Sequence, residues 1–221
     1  MRIPEASSTW PVRVIGDPHW IRASLKRWDN VTWRDPRSAV DTYRRNLRWT
    51  DYFYRLVRQA RPRVAVETGV HFGRSSLAIL AALRRNGSGR LVSIDLPKSA
   101  GILNADGRPD IAHVESWSET GHLVPHELRD RWELRLGDAR ELLPRTVSGG
   151  IGFFLHDSDH SFAQQAFEYE TAWNALEVGG ILASDDTDWS RAWPEFLERN
   201  RGACRPLENG PDAVRAVRRI A

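Results

Sequence analysis

Short apolar segments alternate with helical patterns along the chain from about residue 62 onward. We predict strands at residues 63–67, 90–95, 132–137, 151–156 and 180–185. After the first of them, apolar residues from Ser75 to Leu83 recur at helical spacing, and Gly87 stands where that helix would end. Such alternation of strands and helices is typical of a parallel sheet covered by helices. The pattern therefore predicts an α/β fold with five parallel strands.

Two further helices are predicted in the second half of the chain. Apolar residues from Phe162 to Leu176 are spaced as in a helix, with Gly179 placed to end it. This helix would connect the fourth and fifth strands. A second helix is expected over residues 189–200, bent or interrupted at Pro194.

The last twenty residues allow two interpretations. Residues 203–207 and 213–220 flank the turn 208–212, and they could form an antiparallel hairpin at the edge of the sheet. Residues 213–220 also fit a helix nearly as well. With the hairpin, the fold is a Rossmann-like, doubly wound, mostly parallel sheet of seven strands with an N-terminal helical extension.

Two segments fall outside this alternation. Residues 1–60 form a Trp-rich arm followed by a predicted helix at 38–60, and we interpret them as a lid over an acceptor or as a dimer contact. Residues 61–221 form the main domain, with a polar insertion at 97–126 that is longer than ordinary connections. Such a long polar segment is a candidate lid or binding loop.

The arm contains tryptophans with no clear period. Trp20, Trp28 and Trp33 could stack on the apolar faces of sugars. Packing in the core or between the subunits of a homodimer is the plainer explanation, and we favour it for most of them.

Composition narrows the class of protein. The chain has 221 residues and 41% hydrophobic residues, and it lacks both a long apolar stretch and the layout of a secretion signal. We therefore expect a soluble cytoplasmic protein without a membrane partner. Its single cysteine, Cys204, excludes an internal disulfide and a zinc site built on several thiolates. The net charge of +3 comes from arginines spread along the chain, so a nucleic-acid partner is not favoured.

The turn after the first strand has the character of a ligand site. It reads Glu67-Thr-Gly69-Val-His-Phe-Gly73-Arg-Ser75-Ser76. Its glycines let the backbone approach a ligand, and the helix that follows offers free N–H groups. The Gly-x-x-x-Gly spacing differs from the Gly-x-Gly-x-x-Gly of dinucleotide sites, which disfavours NAD.

Acidic residues follow the next two strands. Asp95 lies where a carboxylate could accept hydrogen bonds from both hydroxyls of a ribose, and Asp138, next to Ala139, could accept one from an adenine amino group. The alternative is that each aspartate only caps a helix.

The string VETGVHFGRSS, together with SID and GDA, resembles the class I S-adenosylmethionine-dependent methyltransferases over residues 62–186. The resemblance implies that Glu67 faces the methionine part of the donor and that Asp95 holds its ribose. It also implies that Asp138 and Ala139 lie near the adenine. The loop would be lined by Gly69, Gly73, Ser75 and Ser76.

A second acidic group follows the fourth and fifth predicted strands. Asp157 ends one strand, and Asp185 and Asp186 end the other. Because neighbouring parallel strands lie about 4.8 Å apart, these carboxylates should converge and repel one another. Mg²⁺ or Mn²⁺ would remove that repulsion, so we predict all three as metal ligands, and Asp157 as a residue that also binds the methyl donor. Alternatively, Asp185 and Asp186 cap a helix and Asp157 touches only the donor.

The pair D-x-D-H and D-D is similar to the metal-dependent O-methyltransferases that modify sugars of macrolide and aminocoumarin glycosides. The resemblance implies that a metal chelates hydroxyls of the acceptor beside the methyl group. A base must take the proton, and we predict His160 first, because an ordinary imidazole is neutral near pH 7, and Asp159 second.

These predictions combine into an S-adenosylmethionine- and Mg²⁺-dependent O-methyltransferase acting on a sugar or glycosylated metabolite. A catechol-type phenol is the second choice of acceptor. A metal-independent RNA methyltransferase and a non-catalytic protein that binds the donor are the alternatives outside this mechanism. A homodimer is the expected assembly.

Overall fold

The structure is a computed structural model that describes residues 36–96 and 120–221, with side chains from residue 47 onward. Its strands are β1 (Val64–Thr68), β2 (Arg90–Asp95), β3 (Trp132–Leu136), β4 (Ile151–His156), β5 (Leu176–Ser184), β6 (Cys204–Pro206) and β7 (Arg215–Arg219). Its helices are α1 (Pro36–Ala60), α2 (Arg74–Asn86), α3 (Ala139–Val147), α4 (Phe162–Ala175) and α5 (Ala192–Arg199), with a 3-10 helix at His126–Arg131. The N-terminal helix predicted at 38–60 is thus confirmed as α1.

The strands form one sheet in the order β3-β2-β1-β4-β5-β7-β6. Strands β1 to β5 are parallel, and β7 runs antiparallel to both β5 and β6. The predicted Rossmann-like, mostly parallel sheet of seven strands is therefore confirmed. Strand order reverses between β1 and β4, and in sheets of this kind ligands bind in the crevice at the carboxyl ends of those strands.

Two hydrophobic layers hold the sheet between its helices. On one face, α1 and α2 cover the side chains of Ala65, Phe153 and Ile181. On the other, α4 and α5 contribute an aromatic cluster that packs on Val66, Phe154 and Leu182. Because β4 is buried on both faces, its sequence is a continuous apolar run rather than an alternating one.

The prediction for the end of α4 is wrong. The helix ends at Ala175, and β5 begins directly at Leu176, which pairs with Ile151 of β4. The register of this pairing shifts before Ile181 pairs with Phe153, and Gly179 lies in that irregular stretch with φ of +89°. Gly179 therefore serves a bulge in the strand instead of a helix end.

The prediction for α5 is also wrong at its start. The helix begins at Ala192, whose N–H donates to the Ser190 hydroxyl at 3.0 Å. Residues 187–191 form a turn and bends, so Trp189 precedes the helix. Pro194 lies in the first helical turn, where an N–H has no helical partner to lose, and the expected interruption does not occur.

The C-terminal residues form the predicted hairpin, and the helical alternative for 213–220 is wrong. Strand β7 pairs with β5 through Ala183↔Ala216 and with β6 through Arg205↔Arg218. The arm tryptophans Trp20, Trp28 and Trp33 and residues 97–119 of the insertion lie outside the described residues. Of the described helices, none is long and apolar enough to cross a membrane.

Candidate active site

The turn after β1 is built on backbone that only glycine accommodates. Gly69 has φ of +82°, and a Cβ there would lie 1.9 Å from the carbonyl oxygen of Asp157. Its N–H donates to the Ile94 carbonyl at 2.9 Å. Gly73 has φ of +91° and directly precedes α2. The turn therefore contacts the end of β4 backbone to backbone, at the crevice between the two strands.

Glu67 is a fully buried carboxyl group at this crevice. Its Oε1 accepts hydrogen bonds from the hydroxyls of Ser76 and, at 2.6 Å, Ser93. Its Oε2 is buried and has no hydrogen-bond partner among the described residues. Burial raises the pKa of Glu67 to about 7, although the hydroxyls of Ser76, Ser93 and Ser75 lower it in part. The carboxyl group thus has one oxygen available for a hydrogen-bond donor on a ligand.

The two other predicted donor-binding acids differ in their surroundings. Asp95 ends β2 and is half-buried, and its carbonyl accepts from the Gly137 N–H at 2.8 Å. Asp138 is exposed and caps α3 by accepting from the Arg140 N–H at 2.8 Å. Helix α3, which begins at Ala139, was not among the predicted helices. One carboxylate oxygen can cap a helix while the other binds a ligand, so both roles predicted for Asp138 are compatible.

The three aspartates predicted as metal ligands follow adjacent strands. Asp157 comes directly after β4, and its backbone N–H donates to the carbonyl oxygen of Thr68 at 2.9 Å. Asp185 comes directly after β5, and its backbone N–H donates to the carbonyl oxygen of His156 at 2.9 Å. These bonds continue the ladder between the strands, which fixes the backbone of both acidic turns.

Mutual repulsion acts on these acids. Burial raises the pKa of Asp157 well above its usual range, and the nearby carboxylates of Asp185 and Asp186 raise it further, while Arg74 lowers it. Burial also raises the pKa of Asp185, which shares a side-chain hydrogen bond with Asp157 that lowers it in part. The pKa of Asp186 is raised to about 6 by burial and by its acidic neighbours. Protonation of these carboxylates or binding of a cation beside them would therefore relieve their repulsion.

The structure brings Asp157 and Asp185 together but does not assemble a full ligand set. Within residues 36–96 and 120–221, no three or more His, Cys, Asp or Glu side chains have the arrangement of a metal site. Asp186 faces His160 instead, with its Oδ2 at 3.4 Å from Nδ1 of the imidazole. Coordination of a metal by all three aspartates stays a prediction.

His160 lies between two of these carboxylates. Its Nε2 is 3.8 Å from Asp157 Oδ1, and its side chain is 15% exposed. Asp159 is placed differently, because its two oxygens accept from the N–H of Ser161 at 2.9 Å and from the hydroxyl of Ser161 at 3.2 Å. Asp159 thus stabilises the start of α4, whereas His160 lies 3.8 Å from Asp157 and 3.4 Å from Asp186.

Three residues at the site were missed by the sequence analysis. Trp49 of α1 donates from Nε1 to Asp185 Oδ2 at 3.0 Å, and the Arg74 guanidinium lies 4.3 Å from the Trp49 ring centroid. No local motif could reveal the Trp49 contact, since its partner is 136 residues away. Trp189, whose ring centroid lies 5.3 Å from that of His160, is 68% exposed. Its position shortly after Asp186 in the sequence could have indicated that Trp189 lies at the site.

Comparisons with known proteins identify a family and several similar folds. A family model described as "Methyltransferase domain" matches residues 66–187. No match was found among curated proteins. Similar solved structures include the S-adenosylhomocysteine-bound methyltransferase PaMTH1 of Podospora anserina, with 15% identity, a TM-score of 0.60 and 100% of both chains covered.

Two other solved structures have the same fold at low identity. The O-methyltransferase of Bacillus cereus in complex with S-adenosylhomocysteine has 16% identity and a TM-score of 0.55, with 94% of this chain and 91% of that chain covered. The calicheamicin methyltransferase CalS11 has 20% identity and a TM-score of 0.56, with 92% of each covered. The family match spans more than half of the sequence and contains both the glycine turn and the acidic cluster. The chain belongs to the methyltransferase-domain family and is a class I S-adenosylmethionine-dependent methyltransferase.

Proposed function

We propose that this methyltransferase is Mg²⁺-dependent and transfers its methyl group to a hydroxyl oxygen of a sugar or glycosylated metabolite. The observation that carries the proposal is the position of His160. Its imidazole lies between Asp157 and Asp186, at the crevice where the turn after β1 meets the end of β4. A proton acceptor and a group of carboxylates thus stand beside the donor site.

The donor would be held along the carboxyl ends of β1, β2 and β3. Glu67 Oε2, which is buried without a partner, suits the ammonium group of the methionine part. Asp95 would accept from the ribose hydroxyls, and Asp138 and Ala139 would lie near the adenine. Backbone and hydroxyls of the loop would line the site, from Gly69, Gly73, Ser75 and Ser76.

A divalent cation fits the chemistry of the acidic cluster. The carboxyl groups of Asp157 and Asp185 are hydrogen-bonded to each other, burial raises the pKa of both, and the charge of Asp185 raises that of Asp157 further. Together with Asp186, they offer only oxygen ligands, which suit Mg²⁺ or Mn²⁺. Bound there, such an ion would supply Lewis acidity that lowers the pKa of an acceptor hydroxyl and would fix that hydroxyl's orientation.

His160 would act as the general base. It would take the hydroxyl proton at a ring nitrogen while the acceptor oxygen bonds to the methyl carbon and the carbon–sulfur bond breaks. Asp157 and Asp186, at 3.8 and 3.4 Å from the two ring nitrogens, would stabilise the imidazolium that forms. Asp159 would contribute indirectly, by holding the start of α4.

Trp189 would form one wall of the acceptor site. Its ring is 68% exposed although it lies beside His160, and an exposed indole face can stack on the apolar face of a sugar. A fold similar to that of a calicheamicin methyltransferase is consistent with a natural-product acceptor. Since an indole also stacks on a phenol ring, a catechol-type acceptor is the second candidate.

A methyl-transfer screen tests this function. The protein would be incubated with S-adenosylmethionine and with sugars, glycosides, catechols or RNA, in Mg²⁺ or in EDTA, and products would be identified by mass spectrometry. We expect methyl ethers of sugar hydroxyls that form only with Mg²⁺. Methylation of RNA or of nitrogen, or equal turnover in EDTA, would contradict the proposal.

A further inference from the structure

Glu168 is a buried acid of α4 that the proposed mechanism does not use. It is fully buried, yet it has hydrogen-bond donors on both oxygens. Its Oε2 accepts from the hydroxyl of Thr68 and from Nδ1 of His156 at 2.6 Å. Its Oε1 accepts from Ser158 at 2.8 Å and from Gln164 at 2.7 Å. Four donors converge on one side chain, as an ionised carboxylate requires.

Three of the hydrogen-bond donors to Glu168 lie next to residues of the glycine turn or the Asp157 turn. Thr68 directly precedes Gly69, and His156 and Ser158 stand on either side of Asp157. Gly69 and Asp157 are the two residues whose backbones meet at the crevice, where a Cβ on Gly69 would lie 1.9 Å from the Asp157 carbonyl. Glu168 therefore accepts hydrogen bonds from the chain neighbours of both Gly69 and Asp157.

We propose that Glu168 is a positioning residue for the methyl donor site. By binding Thr68 together with His156 and Ser158, it sets the spacing between the glycine turn and the Asp157 turn, and it holds the His156 proton at Nδ1. Its contact with Gln164 ties this arrangement to the first turns of α4, which follows His160.

Electrostatics agree with an ionised Glu168. Burial alone would raise its pKa, but the neighbouring His156 imidazole and the hydrogen bonds from His156, Thr68 and Gln164 outweigh burial and lower the pKa. The Nε2 of His156 is buried without a hydrogen-bond partner among the described residues, so Glu168 alone fixes the orientation of that ring by hydrogen bonding.

Glu168→Gln tests this inference while preserving side-chain shape. Glutamine has one acceptor oxygen and one donor NH₂ group, so it cannot accept from all four partners, and it would turn a donor toward His156 Nδ1. Glu170→Gln is the matched control, because it makes the same change at an exposed position of the same helix. The affinity for S-adenosylhomocysteine would be measured by titration calorimetry, without metal or acceptor.

We expect Glu168→Gln to weaken S-adenosylhomocysteine binding by about tenfold and Glu170→Gln to leave it within twofold. The ¹⁵N chemical shifts of the His156 ring, assigned by their loss in His156→Gln, should change in Glu168→Gln because the proton moves from Nδ1. A merely structural role would lower the melting temperature and leave the affinity for S-adenosylhomocysteine as in the unaltered chain, and that result would overturn the inference.

Two further variants keep the test decisive if Glu168→Gln fails to fold. Ser158→Ala and Gln164→Ala each remove one donor to Glu168 Oε1, and each should weaken S-adenosylhomocysteine binding more than Glu170→Gln does. Wild-type affinity in both would refute the inference. Because these measurements contain neither acceptor nor Mg²⁺, their failure is distinguishable from failure of the proposed function.

Discussion

Glu67→Gln gives the sharpest test of the buried donor site. The side chain is fully buried, and its pKa of about 7 compares with an ordinary value of 4.5. A difference of about 2.5 units corresponds to roughly 3 kcal/mol, since each unit is worth about 1.4 kcal/mol. Ionised Glu67 therefore destabilises the ligand-free protein by an amount of that order.

The direction of the pH dependence follows from proton linkage. Between pH 4.5 and about 7 the folded chain binds the Glu67 proton more tightly than the unfolded chain does. The free energy of unfolding contributed by Glu67 therefore falls as pH rises through this window, and it levels off above about pH 7. Neutral glutamine has no such dependence, so Glu67→Gln should gain stability relative to the wild type as pH rises.

Urea unfolding of the ligand-free proteins at pH 5, 6, 7 and 8 measures this effect. Asp185 and Asp186 also have raised pKa values and contribute to both curves, so the difference between the two proteins reports Glu67 together with its smaller effect on the pKa of Asp157. We expect that difference to grow by about 2.5 kcal/mol from pH 5 to pH 8, since a small part of the effect is already present at pH 5. A difference that is constant with pH would refute the reasoning.

Three further substitutions have defined outcomes. Gly69→Ala places a Cβ 1.9 Å from the Asp157 carbonyl, so calorimetry should detect no S-adenosylhomocysteine binding and the melting temperature should fall. His160→Ala should lower kcat at least about 100-fold in a methyl-transfer assay while changing S-adenosylhomocysteine affinity less than threefold. Trp189→Ala should raise the acceptor KM about tenfold in the same assay, with the donor KM unchanged.

Each of these has a control and a contradicting result. Gly87 has a similar φ of +78° but nothing within 4 Å of an added Cβ, so Gly87→Ala should keep binding; equal losses in both variants would show that only strain matters at Gly69. Unchanged turnover in His160→Ala would remove the imidazole from the mechanism. An unchanged acceptor KM in Trp189→Ala would place the acceptor elsewhere.

Much of the fold could be predicted because its central strands, β1 and β4, are buried on both faces. The run 151–156 is apolar throughout since both helical layers cover it, and that pattern is readable without a structure. The start of β5 was missed because Leu176 satisfies helical spacing equally well, and only its pairing with Ile151 decides between helix and strand. Local pattern cannot report a contact between distant strands.

The candidate site was predictable where its residues follow strands. Asp157, Asp185 and His160 come together because the ends of β4 and β5 are adjacent, which topology alone implies. The partners that orient them come from elsewhere in the chain. Trp49 reaches Asp185 from α1, and Glu168 reaches Thr68 across 100 residues, so neither role has a local sequence signal.

The claim that these aspartates hold a cation is tested most directly by counting bound Mn²⁺. Electron paramagnetic resonance would follow Mn²⁺ titrated into the S-adenosylhomocysteine complex of the wild type, Asp157→Asn and Asp186→Asn. We predict one bound ion per wild-type chain, displaced by Mg²⁺, and at least about tenfold weaker binding in both variants. If the spectra showed only free Mn²⁺ at saturating concentrations and methyl transfer continued in a chelator, the account would be contradicted.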